Sequence, residues 1–149
     1  MSGYLIDTNV ISELRKPRPQ AEVVAFVSGQ SLDDLFISIV TFAEIRFGIE
    51  KLTDAARRSV IISWLDSRMR PMFEDRVLVL SEDILLKWRL IIDEGRTLGH
   101  TFSHPDVLIA ATAAHHGLTV VSRNTGEFVA ARVGVLNPWT GEHKLTAAK

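Results

Sequence analysis

Tyr4-Leu5-Ile6-Asp7-Thr8-Asn9 places a short apolar run directly before an acid, and a helical pattern begins immediately after it. Val10 and Ile11 belong to that pattern, which we predict to form a helix from Thr8 to Leu14. The helix ends before Pro17, because proline lacks an amide donor and restricts the residue before it. The stretch therefore predicts a buried strand that ends at a carboxylate, followed by a helix.

The same succession of short apolar runs and helical patterns continues along the chain. We predict further strands at 35–40, 76–80, 118–121 and 133–136, the last at a sheet edge. We predict further helices at 21–27, 41–52, 54–67, 81–93, 103–116 and 125–131. The helix at 54–67 is expected to direct Val60, Ile61 and Leu65 inward, and Gly95 and Gly99 are expected to end the helix that Ser81 caps. Short strands without polar alternation, separated by helices, are typical of an α/β fold whose parallel sheet is covered on both faces.

Composition limits the kinds of protein that this chain can be. Its 149 residues predict one domain over 1–149, and 46% hydrophobic with 23% charged residues indicates a globular protein. The net charge of −1 excludes nucleic-acid binding through bulk positive charge. The absence of cysteine excludes disulfide scaffolds, thiolate zinc sites and cysteine nucleophiles. The chain has no membrane-length apolar run and no signal peptide at its start, so we expect a cytoplasmic location.

Four acids follow strands or begin helices in this prediction. Asp7 follows the first strand, Glu44 and Asp106 fall three residues after Thr41 and Ser103, and Glu127 follows the strand at 118–121. Ligands of open parallel sheets bind beyond the carboxyl ends of the strands, so all four acids can face one edge. Two such charges about 4 Å apart repel by roughly 4 kcal/mol at an effective dielectric constant of 20. A hard divalent cation, Mg²⁺ or Mn²⁺, relieves that repulsion through oxygen ligands.

Each acid also has a purely structural interpretation. Asp7 can cap the first helix, and the pairs Thr41–Glu44 and Ser103–Asp106 fit a capping box or its aspartate variant. Glu127 fits a solvated charge in the first turn of a helix. Only the predicted convergence of all four favours a site, and that convergence depends on the fold.

The acids lie in segments that together resemble the PIN-domain family. Leu5-Ile6-Asp7-Thr8-Asn9 is similar to the family's opening element, and the segment 41–49 is similar to its second acidic element. The segments 106–113 and 117–128 resemble the third and fourth elements, and Val135-Leu136-Asn137-Pro138-Trp139 resembles the closing one. These segments span nearly the whole chain in the family's order, and the nearest relatives look like the VapC and FitB toxins of toxin–antitoxin pairs. The resemblance implies a three-layer α/β/α fold around a short, mostly parallel sheet.

The resemblance also implies a metal-dependent ribonuclease. It assigns cation binding and catalysis to Asp7, Glu44 and Asp106, while the fourth position is either Glu127 or Asn124. The family commonly has aspartate where this chain has Glu127, so a second metal position stays open. The hydroxyl groups of Thr8 and Ser122 are expected to hold the metal-ligating side chains in position through hydrogen bonds.

We expect a water molecule to attack a phosphodiester of the RNA in line with the bond that breaks. This reaction leaves a 5′-phosphate and a 3′-hydroxyl. Cations must bring RNA to an acidic pocket, and Arg15, Lys16 and Arg18 can line its rim, unless they are ordinary surface charges. Arg46 and Arg123 flank the acidic segments under the same two interpretations. For the tryptophans, Trp64, Trp88 and Trp139, packing is favoured over the stacking of bases.

The resemblance implies two direct protein partners, an inhibitory antitoxin and a second copy of the chain in a homodimer. RNA is the implied substrate, and operator DNA is bound only through the antitoxin. No membrane is expected. The alternative function is a subunit of an antitoxin-bound, DNA-binding regulatory complex with weak or no nuclease activity. A phosphatase with Asp7 as nucleophile is disfavoured, because Asn9 stands where that chemistry needs a second aspartate.

Overall fold

The computed structural model describes residues 2–145, which form alternating strands and helices. The strands are β1 (Tyr4–Ile6), β2 (Leu35–Ser38), β3 (Val77–Leu78), β4 (Thr119–Val121), β5 (Val135–Leu136) and β6 (His143–Lys144). The helices are α1 (Thr8–Arg15), α2 (Ala21–Ser28), α3 (Ile39–Glu50), α4 (Ala55–Trp64), α5 (Arg70–Met72), α6 (Glu82–Thr97), α7 (His104–His116) and α8 (Thr125–Ala130). A 3-10 turn at Leu32–Asp34 precedes β2, and a π-helical segment at Leu65–Met69 joins α4 to α5.

The strands form one sheet in the order β3-β2-β1-β4-β5-β6. All neighbouring pairs are parallel except β5 and β6, which are antiparallel. The chain builds outward from β1 to β2 and β3, and then returns to place β4 on the other side of β1. This reversal creates a switch point between β1 and β4, where the carboxyl ends of parallel strands leave room for a ligand.

The sheet separates two apolar cores, which gives the three layers that the sequence predicts. On one face, Leu5 and Val120 pack with buried residues of α6, α7 and α8. On the other face, Ile6 and Val121 pack with buried residues of α1 to α4 and the π-helical segment. Neighbouring strand residues point to opposite faces, so strands that are buried on both sides need apolar residues at every position. Within residues 2–145, no helix is both long and apolar enough to cross a membrane.

The structure corrects several predicted boundaries. The predicted strand 35–40 ends at Ser38, whose hydroxyl accepts a hydrogen bond from the Val40 amide at 3.0 Å and caps α3. Thr41 is therefore fully buried inside α3, so the predicted capping box of Thr41 and Glu44 is wrong. Ser103 does precede α7, but its side chain makes no capping hydrogen bond, so the second predicted box is also wrong.

Other corrections concern the ends of elements and one inward-facing residue. The predicted helix 54–67 is α4 followed by the π-helical segment, and Val60 is 68% exposed, whereas Ile61 and Leu65 are buried as expected. The helix α6 continues through Gly95 and ends at Thr97. The predicted strand 76–80 shortens to β3, and β5 is not an edge strand, because it pairs with β6, which the sequence did not predict.

Candidate active site

A pocket of about 480 Å³ opens beyond the carboxyl ends of β1 and β4, at the switch point of the sheet. The polar and charged residues that line it come from segments distant in the chain: Asp7, Thr8, Asn9, Ser12, Glu13, Lys16, Glu44, Asp106 and Arg123. Pro105 and Trp139 complete the lining. The fold thus brings three of the four predicted acids, Asp7, Glu44 and Asp106, to one pocket.

Asp7 lies at the base of this pocket and is only 3% exposed. One carboxylate oxygen accepts a hydrogen bond from the Thr8 amide at 2.8 Å, which makes Asp7 the N-cap of α1. The other oxygen accepts from the Ser122 hydroxyl at 2.7 Å and from the Asn9 amide group at 3.4 Å. The structural interpretation of Asp7 as a cap is therefore correct, and it is compatible with a place in the site.

The environment of Asp7 raises its pKa from 3.8 to about 6. Burial is the largest cause, and the nearby charge of Asp106 adds to it, while the hydrogen bonds from Ser122 and Thr8 oppose the rise. The ionised carboxylate of Asp7 is therefore not balanced by positive charge in the pocket.

Asp106 lies in the first turn of α7 and faces the same pocket. One of its carboxylate oxygens accepts a hydrogen bond from the side-chain amide of Asn124 at 2.6 Å. The Asn124 backbone amide in turn donates to the Ser122 hydroxyl at 3.0 Å. Ser122 and Asn124, both after β4, thus connect the carboxylates of Asp7 and Asp106.

Glu44 reaches the pocket from the second turn of α3, where it is half-buried. It also borders a neighbouring hollow of about 210 Å³, which Arg15 lines. Thr8 contacts α3 at this point, since its hydroxyl lies 3.5 Å from the Thr41 hydroxyl. Glu44 is thus in the pocket but apart from the linked pair of Asp7 and Asp106.

Glu127 does not line the pocket. Its carboxylate lies 3.5 Å from the imidazole Nε2 of His100, whose ring packs edge-on against Phe102. Asn124, and not Glu127, is the fourth-position candidate that contacts a pocket acid. The sequence did not separate these two, because both lie in the same short turn and helix after β4.

The predicted rim cations occupy different places. Lys16 lines the acidic pocket, Arg15 lines the neighbouring hollow, and Arg18 is exposed outside both. Arg123 lines the acidic pocket, whereas Arg46 borders a separate groove along α3 and α4.

Glu13 is a pocket residue that the sequence analysis missed. It is 3% exposed, and its two carboxylate oxygens accept from the Lys16 ammonium at 2.8 Å and from the Gln20 amide at 2.9 Å. These hydrogen bonds, with that of Lys16 the stronger, hold the pKa of Glu13 below its usual value. The sequence does not indicate that Glu13 is buried, because an acid two positions after the apolar Ile11 falls on the polar face of the predicted helix.

The donors at this site fit a hard divalent cation. Asp7 and Asp106 repel each other, the pKa of Asp7 is raised, and the surrounding groups present oxygen and no sulfur. Within residues 2–145, no three acidic or histidine side chains lie close enough together to enclose a metal ion. Mg²⁺ does not need such a cage, because it keeps several waters and binds through one or two carboxylates.

The PIN domain family model matches residues 4–134 of the chain. Toxin FitB of Neisseria gonorrhoeae is 39% identical over 135 residues, which cover 91% of this chain and 97% of that protein. VapC ribonuclease Y4jK of Sinorhizobium fredii is 36% identical and covers 91% of this chain and 96% of its own. Among solved structures, that of FitAB bound to an IR36 DNA fragment matches with a TM-score of 0.87 and 38% identity, covering 94% of this chain and 98% of that one.

Proposed function

The chain belongs to the PIN-domain family, and we propose that it is an endoribonuclease that depends on Mg²⁺ or Mn²⁺ and acts as the toxin of a toxin–antitoxin pair. The observation that carries this proposal is the pocket at the switch point, which Asp7, Glu44 and Asp106 all line. The relatives named as a ribonuclease and as a toxin, each aligned over 91% of this chain, support it. We propose a single nuclease domain, since the family match spans 4–134.

In this proposal Asp7 and Asp106 are the residues that would hold the cation. Ser122 orients the carboxylate of Asp7, and Asn124 orients that of Asp106 in place of a fourth acid. A bound divalent cation polarises a phosphoryl oxygen and lowers the pKa of water. In this proposal Glu44, which lines the same pocket, orients the attacking water and accepts its proton. Glu127 has no direct role, because it contacts His100.

The partners follow from the solved relatives. The solved relatives include FitAB bound to an IR36 DNA fragment and VapBC-1 of nontypeable Haemophilus influenzae. We propose that an antitoxin protein occupies the acidic pocket of this chain, that operator DNA is bound through that antitoxin, and that the chain forms a homodimer. The structure with DNA also keeps the second candidate function open, a subunit of an antitoxin-bound, DNA-binding regulatory complex with weak or no nuclease activity.

The test is digestion of total RNA by the isolated chain with Mg²⁺ and with excess EDTA, followed by mapping of the cut ends. We expect cleavage with Mg²⁺ alone, which leaves 5′-phosphate and 3′-hydroxyl ends. Asp106→Asn should abolish it without unfolding the protein, whereas Asp93→Asn, on the exposed face of α6, should keep it. Equal cleavage by the chain and by Asp106→Asn, with contaminating nuclease excluded, would show that the pocket is not the active site. No cleavage by the chain under any condition would favour the regulatory subunit.

A further inference from the structure

Arg123 stands at the mouth of the acidic pocket, stacked on the ring of Trp139. Its guanidinium carbon lies 4.1 Å from the centroid of that ring. Both residues line the pocket that holds Asp7, Glu44 and Asp106. Arg123 shares this pocket with three acids but forms no ion pair with any of them, so its position over an aromatic ring calls for an explanation.

The stacked position is fixed by the ends of two adjacent strands. Arg123 follows β4, and its backbone amide donates to the Asn9 side chain at 3.2 Å. Trp139 follows β5, and its backbone amide donates to the Asn137 side chain at 2.9 Å. The Trp139 ring packs against the apolar core on that side of the sheet. The guanidinium therefore rests on a rigid platform, which reduces the entropy lost when it binds a ligand.

The charge of Arg123 is not neutralised within the described chain. Among residues 2–145, no carboxylate lies within 4.0 Å of its side chain, which is exposed. Glu13 is the acid whose pKa responds to Arg123, but both of its oxygens already accept hydrogen bonds, from Lys16 and Gln20. The guanidinium of Arg123 lies over the Trp139 ring, and its N–H groups donate no hydrogen bond to another residue of the described range 2–145.

We propose that Arg123, held by Trp139, binds a backbone phosphate of the RNA next to the one that is cleaved. This inference rests on the proposed ribonuclease function and names a substrate-binding residue for it. A guanidinium edge matches a phosphate in a two-pronged arrangement, and the exposed position lets a strand cross the mouth of the pocket. In this role Trp139 orients the arginine and does not stack on a base.

The test measures binding of a short single-stranded RNA of mixed sequence in Mg²⁺, with every protein carrying Asp106→Asn so that the RNA stays intact. We expect Arg123→Gln to weaken binding about ten- to a hundredfold, because it removes charge-assisted hydrogen bonds. The slope of log K against log salt should become shallower by about 0.7, as expected for the loss of one phosphate contact on a single strand. The matched control is Arg46→Gln, another exposed arginine, which borders a different groove and should change neither value.

One further variant separates geometry from charge, and a kinetic measurement tests where the contact lies. Arg123→Lys keeps the positive charge but lacks the planar edge of N–H donors. Its affinity for RNA should therefore lie between those of the protein with Arg123 intact and of Arg123→Gln. In the catalytically intact chain, Arg123→Gln should raise KM for RNA more than it lowers kcat, since the residue lies at the mouth and not beside the linked carboxylates.

The outcomes distinguish this inference from the function on which it rests. If RNA fails to bind even with Arg123 intact and is not cleaved by the native chain, the ribonuclease proposal itself fails. If RNA binds and Arg123→Gln matches Arg46→Gln, only the phosphate contact is overturned. A poly-glutamate peptide that binds with the same dependence on Arg123 would also overturn it, in favour of a surface for an acidic protein segment.

Discussion

Asp7→Asn should change how the stability of the metal-free protein depends on pH. The pKa of Asp7 is about 6 in the folded protein against its ordinary value of 3.8, a difference equivalent to about 3 kcal/mol. Because the folded pKa is raised, protonated Asp7 contributes stability that is fully present below pH 3.8 and is lost as the pH rises through 6. Asparagine does not titrate, so the variant loses this dependence. Between pH 4.5 and 7.5 the free energy of unfolding of the unmodified chain should fall, relative to Asp7→Asn, by about 2 kcal/mol.

The assay is denaturation by urea in EDTA, followed by tryptophan fluorescence, at several pH values for both proteins. The comparison uses the change with pH and not the absolute difference. Asparagine keeps an acceptor for the Thr8 amide, but it turns an amino group toward the Ser122 hydroxyl, which otherwise donates to Asp7. That local penalty does not depend on pH and cancels in the comparison. Carboxyl groups remote from Asp7 titrate equally in both proteins and also cancel.

A difference between the two proteins that stays constant within about 0.5 kcal/mol from pH 4.5 to 7.5 would refute this reasoning. It would mean that Asp7 is hydrated or neutralised, contrary to its burial and to the proximity of Asp106. Adding Mg²⁺ at pH 7.5 gives an independent check. The cation should stabilise the unmodified chain in proportion to the logarithm of its concentration and leave Asp7→Asn unchanged.

Three further changes test other parts of the structure. Asn124→Ala should lower RNA cleavage about ten- to a hundredfold because it frees the Asp106 carboxylate, whereas Glu127→Gln should keep most activity; the reverse order would place Glu127 in the site. Ser122→Ala should raise the pKa of Asp7 further, because it removes an opposing hydrogen bond, and Mg²⁺-induced stabilisation should need a higher pH than in the unmodified chain. Gly117→Ala should destabilise the protein by about 1 kcal/mol in urea denaturation, since Gly117 ends α7 with φ +68°, while Gly126→Ala, with open space around it, should not.

The order and type of the main elements could be predicted because local signals agree with the tertiary structure. Ser81 does cap α6, with its hydroxyl accepting from the Ile84 amide at 3.2 Å, and Gly117 does end α7 in the left-handed conformation. The end of β2 was misplaced because Ile39 and Val40 continue the apolar β-branched pattern, although Ser38 already caps the next helix. Sequence periodicity does not distinguish a strand from the first turn of a buried helix over two residues.

Other features depend on contacts that no local pattern encodes. Gly95 stays inside α6, and its lack of a side chain makes room for the ring of Phe102. Within the site, the directions of Asn124 and Glu127 are set by their partners Asp106 and His100, which lie 18 and 27 residues away. A sequence can therefore place both residues after β4 without showing which one turns toward the pocket.

The double role of Asp7 limits how tightly the site can hold a cation. The carboxylate caps α1, so the positive end of the helix dipole already interacts with it, and one oxygen is engaged by the Thr8 amide. The same donors that fix its position compete with a cation for its lone pairs. Asp106, with a single side-chain hydrogen bond from Asn124, retains more free coordination capacity. A cation bound by these two carboxylates would therefore be held weakly, and its affinity would rise when a phosphate added its own oxygen ligands.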